Sequence, residues 1–69
     1  MPTGRVAFFN AAKGYGFISP DNGGGDCFVH ADALGASGLT NLVAGEAVAY
    51  QVLTARNGKR SAFNISRLG

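Results

Sequence analysis

Two short segments of the chain alternate between aliphatic and aromatic residues. In Tyr15-Gly16-Phe17-Ile18 the rings occupy one face of an extended strand, and glycine and isoleucine occupy the other. Cys27-Phe28-Val29-His30 repeats the arrangement, with the phenylalanine and the histidine on one face. The pattern predicts two strands that each carry one aromatic face. Two alternatives stay open at this point, because either the rings or the aliphatic residues can form the core.

The first strand, predicted over residues 5–10, contains two adjacent rings that interrupt the alternation. We expect Val6 on the core side, Phe8 on the outer surface and Phe9 at the edge between the two. A β-bulge is the usual way in which a strand accommodates such an interruption. This strand is therefore expected to add a ring to the aromatic face.

Two more strands are predicted over residues 46–53 and 61–68, where apolar residues alternate again. The residues expected to face inward are Val48, Tyr50, Val52, Phe63 and Ile65. Because they supply a separate core, the rings of the second and third strands are free to face outward. Burial of those rings is the disfavoured alternative.

The connections are recognisable from their turn-forming residues. Residues 20–26 are dense in proline, aspartate, asparagine and glycine, and Asn57-Gly58 is a hairpin signal. Residues 31–45 form a long connection with at most one helical turn, anchored by Leu34 and Leu42. Five short antiparallel strands with one long connection predict an all-β fold, a small closed barrel.

Length and composition limit the possible function classes. At 69 residues the chain is expected to form a single domain over 1–69. Its net charge of +2 permits a polyanionic partner without requiring one. The single cysteine cannot form an intrachain disulfide. No secretory signal and no apolar run of membrane-spanning length is recognisable, so a cytoplasmic location without a membrane partner is expected.

The sequence offers little for catalysis. Cys27 and His30 lie three residues apart on one strand, hence on opposite faces, and cannot act as a pair. The four acidic residues are scattered, without the spacing of a metal site or an acid–base pair. We therefore predict that the domain is not an enzyme and needs no cofactor or metal, with Cys27 as a small buried apolar residue.

An exposed aromatic face beside Lys13 is typical of a protein that binds single-stranded nucleic acid. Any base can stack on a flat ring, and a nearby cation can contact the backbone phosphates. The alternative is a small-barrel protein-interaction module that uses the same rings to hold a protein partner. The two hypotheses differ in how strongly binding should depend on salt.

Three segments together resemble the bacterial cold-shock proteins: Val6-Ala7-Phe8-Phe9-Asn10, Lys13-Gly14-Tyr15-Gly16-Phe17-Ile18 and Asp26-Cys27-Phe28-Val29-His30. The last two are similar to the ribonucleoprotein motifs of that family, and the resemblance covers nearly the whole chain. It implies a five-stranded oligonucleotide/oligosaccharide-binding barrel. It also implies binding of single-stranded RNA or DNA, with pyrimidine-rich strands expected, and a role as an RNA chaperone or regulator. A monomer is expected, with a strand-exchanged dimer as the alternative.

The resemblance also assigns roles to individual residues. The base-stacking residues would be Phe8, Tyr15, Phe17, Phe28 and His30, with Phe9 as a partial contributor. Lys13 would contact phosphates, and Asn10 would either bind a base or hold the loop. The basic residues of the last hairpin are additional candidates for phosphate contacts: Arg56, Lys59 and Arg60.

The chain departs from the family pattern at four positions. The family usually has lysine at position 7, tryptophan at 8, phenylalanine at 31 and an aromatic residue near 39. Here these positions hold Ala7, Phe8, Ala31 and Leu39. Since each base stack contributes about 1–3 kcal/mol, we expect weaker binding over a shorter track than in a typical member.

Overall fold

The computed structural model describes residues 2–68, which form five strands and one short helix. The elements are β1 (Thr3–Asn10), β2 (Tyr15–Pro20), β3 (Cys27–His30), α1 (Ala31–Ala36), β4 (Ala47–Thr54) and β5 (Arg60–Arg67). The strands close into a barrel in the order β1-β2-β3-β5-β4. The predicted all-β fold and closed five-stranded barrel are confirmed.

One pairing differs from the antiparallel arrangement expected throughout. β3 and β5 run parallel and meet at Phe28 and Ser61, whereas the other four neighbouring pairs are antiparallel. A closed ring with an odd number of strands cannot alternate direction all the way round. At least one neighbouring pair must therefore be parallel, and here it joins two strands that are distant in the sequence.

The core of the barrel is mainly aliphatic. β2 and β3 contribute Ile18, Cys27 and Val29, all of which are buried as the alternation predicts. Leu34 of α1 and Leu42 of the long connection are buried against the same core, which confirms both anchors. Burying an aliphatic side chain of this size contributes about 1.5–3 kcal/mol, so these anchors fix the long connection to the barrel.

Tyr50 is the one ring that is fully enclosed by the core, with no solvent exposure among the described residues. Burial raises the pKa of Tyr50 to about 12, and the neighbouring Cys27 is a smaller cause in the same direction. The shift follows because a phenolate in an apolar interior lacks the water that would solvate its charge. Tyr50 therefore belongs to the core, as predicted.

The prediction that Phe63 faces inward is wrong. Phe63 is 37% exposed, and the inward side chains of β5 are Ala62 and Ile65. The cause is Asn64, whose φ of 50° lies in the left-handed region that asparagine tolerates better than most residues. The pairing of β4 with β5 shifts register at this point, so two successive side chains of β5 point outward.

The long connection is held at both ends. α1 covers Ala31–Ala36, slightly longer than the predicted turn, and the backbone reverses at Gly38 with a φ of 79°. Farther on, the Arg67 guanidinium pairs with the Glu46 carboxylate and donates to the carbonyl of Asn41 at 2.7 Å. Among residues 2–68 no helix is both long and apolar enough to span a membrane.

Candidate nucleic-acid interface

Five rings lie side by side on the outer surface of β1, β2 and β3. Neighbouring centroids are 5.5–6.3 Å apart, and most pairs meet at an angle. The stacked pair is Tyr15 and Phe28, with 16° between the ring planes. We call this surface the aromatic cluster; its members are Phe8, Tyr15, Phe17, Phe28 and His30. The structure thus brings together all five residues predicted to stack on bases.

A bulge at Ala7 places Phe8 in the aromatic cluster. Val6 is paired with Ile18 and faces the core, so strict alternation would also turn Phe8 inward. The register shifts between Val6 and Phe8, which leaves Ala7 as the extra residue. Phe8 then lies opposite Phe17 and is 43% exposed. The outward position expected for Phe8 therefore depends on one inserted residue.

The close contact between β1 and β2 requires glycine at position 16. A Cβ atom at Gly16 would lie 2.4 Å from the carbonyl oxygen of Phe8 and 2.8 Å from the Cα of Phe9. Both are backbone atoms, so the clash could not be relieved by rotating a side chain. Gly16 thus allows the two strands to approach closely enough for the rings of Phe8 and Phe17 to touch.

Phe9 lies between the aromatic cluster and the core. It is partly buried and packs against the core, which agrees with its predicted position at the edge. No ring pair within residues 2–68 joins Phe9 to the cluster. Its main contact is therefore with the interior, and any contribution to binding is limited to its exposed edge.

Lys13 lies in the turn that joins β1 to β2 and leads into Tyr15 of the aromatic cluster. The side-chain Oδ1 of Asn10 accepts a hydrogen bond from the Lys13 amide at 3.1 Å, and the Asn10 carbonyl accepts one from the Gly14 amide at 2.8 Å. Two roles were considered for Asn10, binding a base and holding the loop. Both of these hydrogen bonds hold the loop. The lysine side chain is exposed, next to Tyr15 at the start of β2.

His30 has a structural contact in addition to its place in the aromatic cluster. Its Nδ1 accepts a hydrogen bond from the Asp32 amide at 3.1 Å and so caps the N-terminus of α1. About half of the side-chain surface remains exposed (51%). The cap fixes the orientation of the imidazole while leaving part of the ring accessible beside Phe28.

A groove of about 550 Å³ continues from the aromatic cluster towards the last hairpin. Its lining includes Phe17 and Phe28 of the aromatic cluster together with Lys59 and Arg60 of the last hairpin. Arg60 also donates a hydrogen bond to the carbonyl of Gly25 at 3.3 Å. Two of the three basic hairpin residues therefore border the groove.

Arg56 is not among the groove residues and lies exposed in the turn itself. The turn is closed by a hydrogen bond from the Ala55 amide to the Lys59 carbonyl at 2.8 Å. Four residues that the sequence did not indicate also line the groove: Gly25, Asp26, Gly58 and Ser61. Ser61 had no local signal, because it reaches Phe28 only through the parallel pairing of β3 with β5.

Positions 31 and 39, where the resemblance implies rings, hold Ala31 and Leu39, so within residues 2–68 the margin of the aromatic cluster beyond His30 has no further ring. Ala31 begins α1, and Leu39 is partly buried against the core. Part of the apolar surface of Leu39 is therefore buried against the core, and the side chain of Ala31 is only a methyl group. This margin is accordingly poorer in contact surface than the centre of the cluster.

The side chains of this surface are suited to contacting a ligand, and the described residues bring no cluster of reactive groups together there. Cys27 is buried while His30 is exposed, so the two lie on opposite faces of β3. In the described part of the chain no three histidine, cysteine or acidic side chains lie close enough together to hold a metal ion. Rings, cations and hydrogen-bonding groups are what this surface offers a ligand.

Comparison with known proteins agrees with this description of a small barrel that carries an exposed aromatic face. Residues 2–68 match the family described as the 'Cold-shock' DNA-binding domain. The chain is 46% identical to cold shock protein CspA of Rhizobium meliloti over 66 residues, which cover 94% of this chain and 96% of the relative. It is 47% identical to the probable cold shock protein y4cH of Sinorhizobium fredii over the same shares of both chains.

A plant relative extends the comparison. Cold shock protein 1 of Arabidopsis thaliana is 42% identical over 67 residues, which make up 97% of this chain but 22% of that protein. The chain belongs to the cold-shock domain family, a family of nucleic-acid-binding domains. The resemblance stated from the sequence motifs is confirmed.

Proposed function

We propose that the domain binds single-stranded RNA or DNA by stacking bases on the aromatic cluster, with a preference for pyrimidine-rich strands. We infer from this activity a role as an RNA chaperone or as a cold-shock-type regulator of transcription or translation. The domain acts by binding and not as an enzyme. A monomer and a cytoplasmic location remain predictions from the sequence.

The observation that carries the proposal is the contiguity of the aromatic cluster. Five rings within 5.5–6.3 Å of their neighbours offer adjoining faces and edges to successive bases of one strand. Each base stacked on such a ring contributes about 1–3 kcal/mol, irrespective of its identity. A duplex hides its base faces within its own stack, so the same surface discriminates against it.

The cations near the aromatic cluster support phosphate contacts. Lys13 lies in the turn before β2, while Lys59 and Arg60 border the groove beside Phe28. A strand bound to the aromatic cluster would therefore have cations available in the turn before β2 and along the groove. The net charge of +2 is small, so we assign the main share of affinity to stacking.

Affinity should be lower than in a family member that has all the usual rings. The margin near Ala31 and Leu39 lacks two rings, and Phe8 is smaller than the tryptophan usual at that position. Loss of even one full stack, about 1–3 kcal/mol, lowers affinity by about fivefold to more than 100-fold at 1.4 kcal/mol per decade.

The test is a salt-resolved titration with heptathymidine, followed by tyrosine emission. Tyr15 lies in the aromatic cluster and should be quenched, whereas the buried Tyr50 supplies a constant background. Binding through about three to five phosphates gives a log–log slope of affinity against salt of roughly −2 to −3.5. A duplex of the same length should bind much more weakly.

Two outcomes would contradict the proposal. Equal affinity for duplex and single strand would mean that base faces are not used. No quenching at millimolar oligonucleotide and low salt would instead favour the protein-interaction module, whose apolar contacts should hardly respond to salt.

A further inference from the structure

We propose that the single strand held by the aromatic cluster continues across β5 onto β4, over a surface formed by Ser61 and Leu53. The inference rests on the proposed function, because it adds nucleotides to a strand that the aromatic cluster already binds. Its consequence is a binding track that extends towards the last hairpin, away from the margin at Ala31 and Leu39.

The register of the barrel supplies the path. Phe8 pairs with Phe17, and Phe17 pairs with Phe28. The row continues through the pairing of Phe28 with Ser61 and of Ser61 with Leu53. Directly paired residues project to the same side of a sheet, and Leu53 is 65% exposed. One uninterrupted outer row therefore leads from the aromatic cluster round the barrel to Leu53.

The charges beside this row favour a phosphodiester as the occupant. Lys59 and Arg60 line the groove together with Ser61. Neither cation takes part in a salt bridge among residues 2–68, and the hydrogen bond from Arg60 to the Gly25 carbonyl is a long one at 3.3 Å. Asp26 lines the same groove and repels phosphate, so the backbone should run on the side of Lys59 and Arg60.

The length of the extension follows from strand spacing. Phe28 pairs with Ser61, and Ser61 pairs with Leu53, so Leu53 lies two strands away from Phe28. At the usual spacing between neighbouring strands this is a distance of about 10 Å. Such a distance accommodates about two nucleotides, given a rise of about 3.4 Å for fully stacked DNA and more for an extended strand. Heptathymidine should therefore reach Leu53, whereas tetrathymidine placed on the aromatic cluster should not.

The experiment compares these two oligonucleotides by binding and by amide chemical shifts of the whole chain. The variants are Lys59→Gln and Leu53→Ser, both at exposed positions, so folding should be retained. Arg5→Gln is the matched control for charge, because Arg5 is exposed on β1 and its guanidinium donates to the Gly45 carbonyl, outside the groove.

We expect the amide of Leu53 to shift with heptathymidine and not with tetrathymidine, while Phe17, Phe28 and the neighbouring Ser61 respond to both. Lys59→Gln should lower the salt slope for heptathymidine by about 0.7, the value of one phosphate contact on a single strand. Lys59→Gln and Leu53→Ser should each lower the affinity for heptathymidine more than the affinity for tetrathymidine. Arg5→Gln should change both affinities by the same factor.

The extension is overturned if heptathymidine binds to the aromatic cluster while Leu53 does not respond, or if Lys59→Gln and Leu53→Ser both leave the affinity difference between the two oligonucleotides unchanged. A failure of the proposed function looks different, since neither oligonucleotide would then bind the unmodified domain.

Discussion

The two halves of the barrel place their aromatic residues differently. In the half formed by β1, β2 and β3, the rings of the aromatic cluster lie outside, the aliphatic residues lie inside, and Phe9 packs against the core between them. In the half formed by β4 and β5, Tyr50 is buried and Phe63 is exposed without a ring neighbour in the described part of the chain. Both halves contain bulges, yet the bulge in β1 adds a ring to the aromatic cluster and the irregularity in β5 isolates one.

The difference shows that an exposed ring is informative only when it has neighbours. Phe8 and Phe63 are exposed to similar degrees, 43% and 37%. The ring centroid of Phe8, however, lies 5.5 Å from that of Phe17 and 6.1 Å from that of Tyr15. Phe8 therefore extends a surface on which several bases can stack. Single exposed apolar residues are common on protein surfaces, and contiguous ones indicate a contact site.

The largest effect should come from removing rings at the centre of the aromatic cluster. Phe17→Ala combined with Phe28→Ala deletes two stacks, which amounts to about 2–6 kcal/mol of binding free energy, a loss of at least about 30-fold. Heptathymidine titration measures the loss, and a thermal melt checks that the fold is kept.

Phe63→Ala is the matched control for the double variant, because it removes an exposed ring outside the aromatic cluster. With tetrathymidine, which covers only the aromatic cluster, Phe63→Ala should bind nearly as well as the unmodified domain, and the double variant should bind much more weakly. If the double variant unfolded, the two rings would have to be assigned to the core, and the contrast between the two halves would disappear.

A second comparison separates the two apolar residues that flank Asn64. Ile65→Ala should lower the free energy of unfolding by about 2–5 kcal/mol, because it leaves a cavity in a packed core. Phe63→Ala should cost about 1 kcal/mol or less, as is usual at a surface position. Urea unfolding at neutral pH measures both values. Equal losses would indicate that Phe63 is buried after all, as the alternation alone predicted.

A third effect concerns the buried tyrosine and appears only at high pH. The pKa of Tyr50 is raised from 10.0 to about 12, so the neutral phenol is the form that the folded state favours. The corresponding stability is fully present below pH 10 and is lost as pH rises towards 12, because the unfolded chain ionises first. The loss should be about 2–3 kcal/mol, taking 1.36 kcal/mol per unit of pKa shift.

Tyr50→Phe isolates that contribution. The variant should show a flatter stability curve above pH 10, while Tyr15→Phe, at a half-buried position of the aromatic cluster, should retain the decline. Urea midpoints measured across this range test the difference. An unchanged decline in Tyr50→Phe would mean that other groups cause the alkaline loss.

The sequence by itself determined the class of fold and the centre of the candidate site. Alternation over β2 and β3 is regular, so it assigned Ile18 and Val29 to the core and Tyr15, Phe17 and Phe28 to the surface. Regular alternation is a local property of an extended chain, and a local pattern can be recognised without knowing what the strand packs against.

Only the tertiary structure decided the features that depend on irregular backbone or on distant pairing. The left-handed Asn64 reversed the predicted side of Phe63, and nothing in the alternation of neighbouring residues marks that conformation. The pairing of Phe28 with Ser61 brings Lys59 and Arg60 beside the aromatic cluster, and it joins strands separated by α1 and β4. Closure of an odd-numbered ring of strands requires a parallel pair, but the sequence does not reveal which strands meet. That choice placed Ser61, and with it Lys59 and Arg60, beside Phe28.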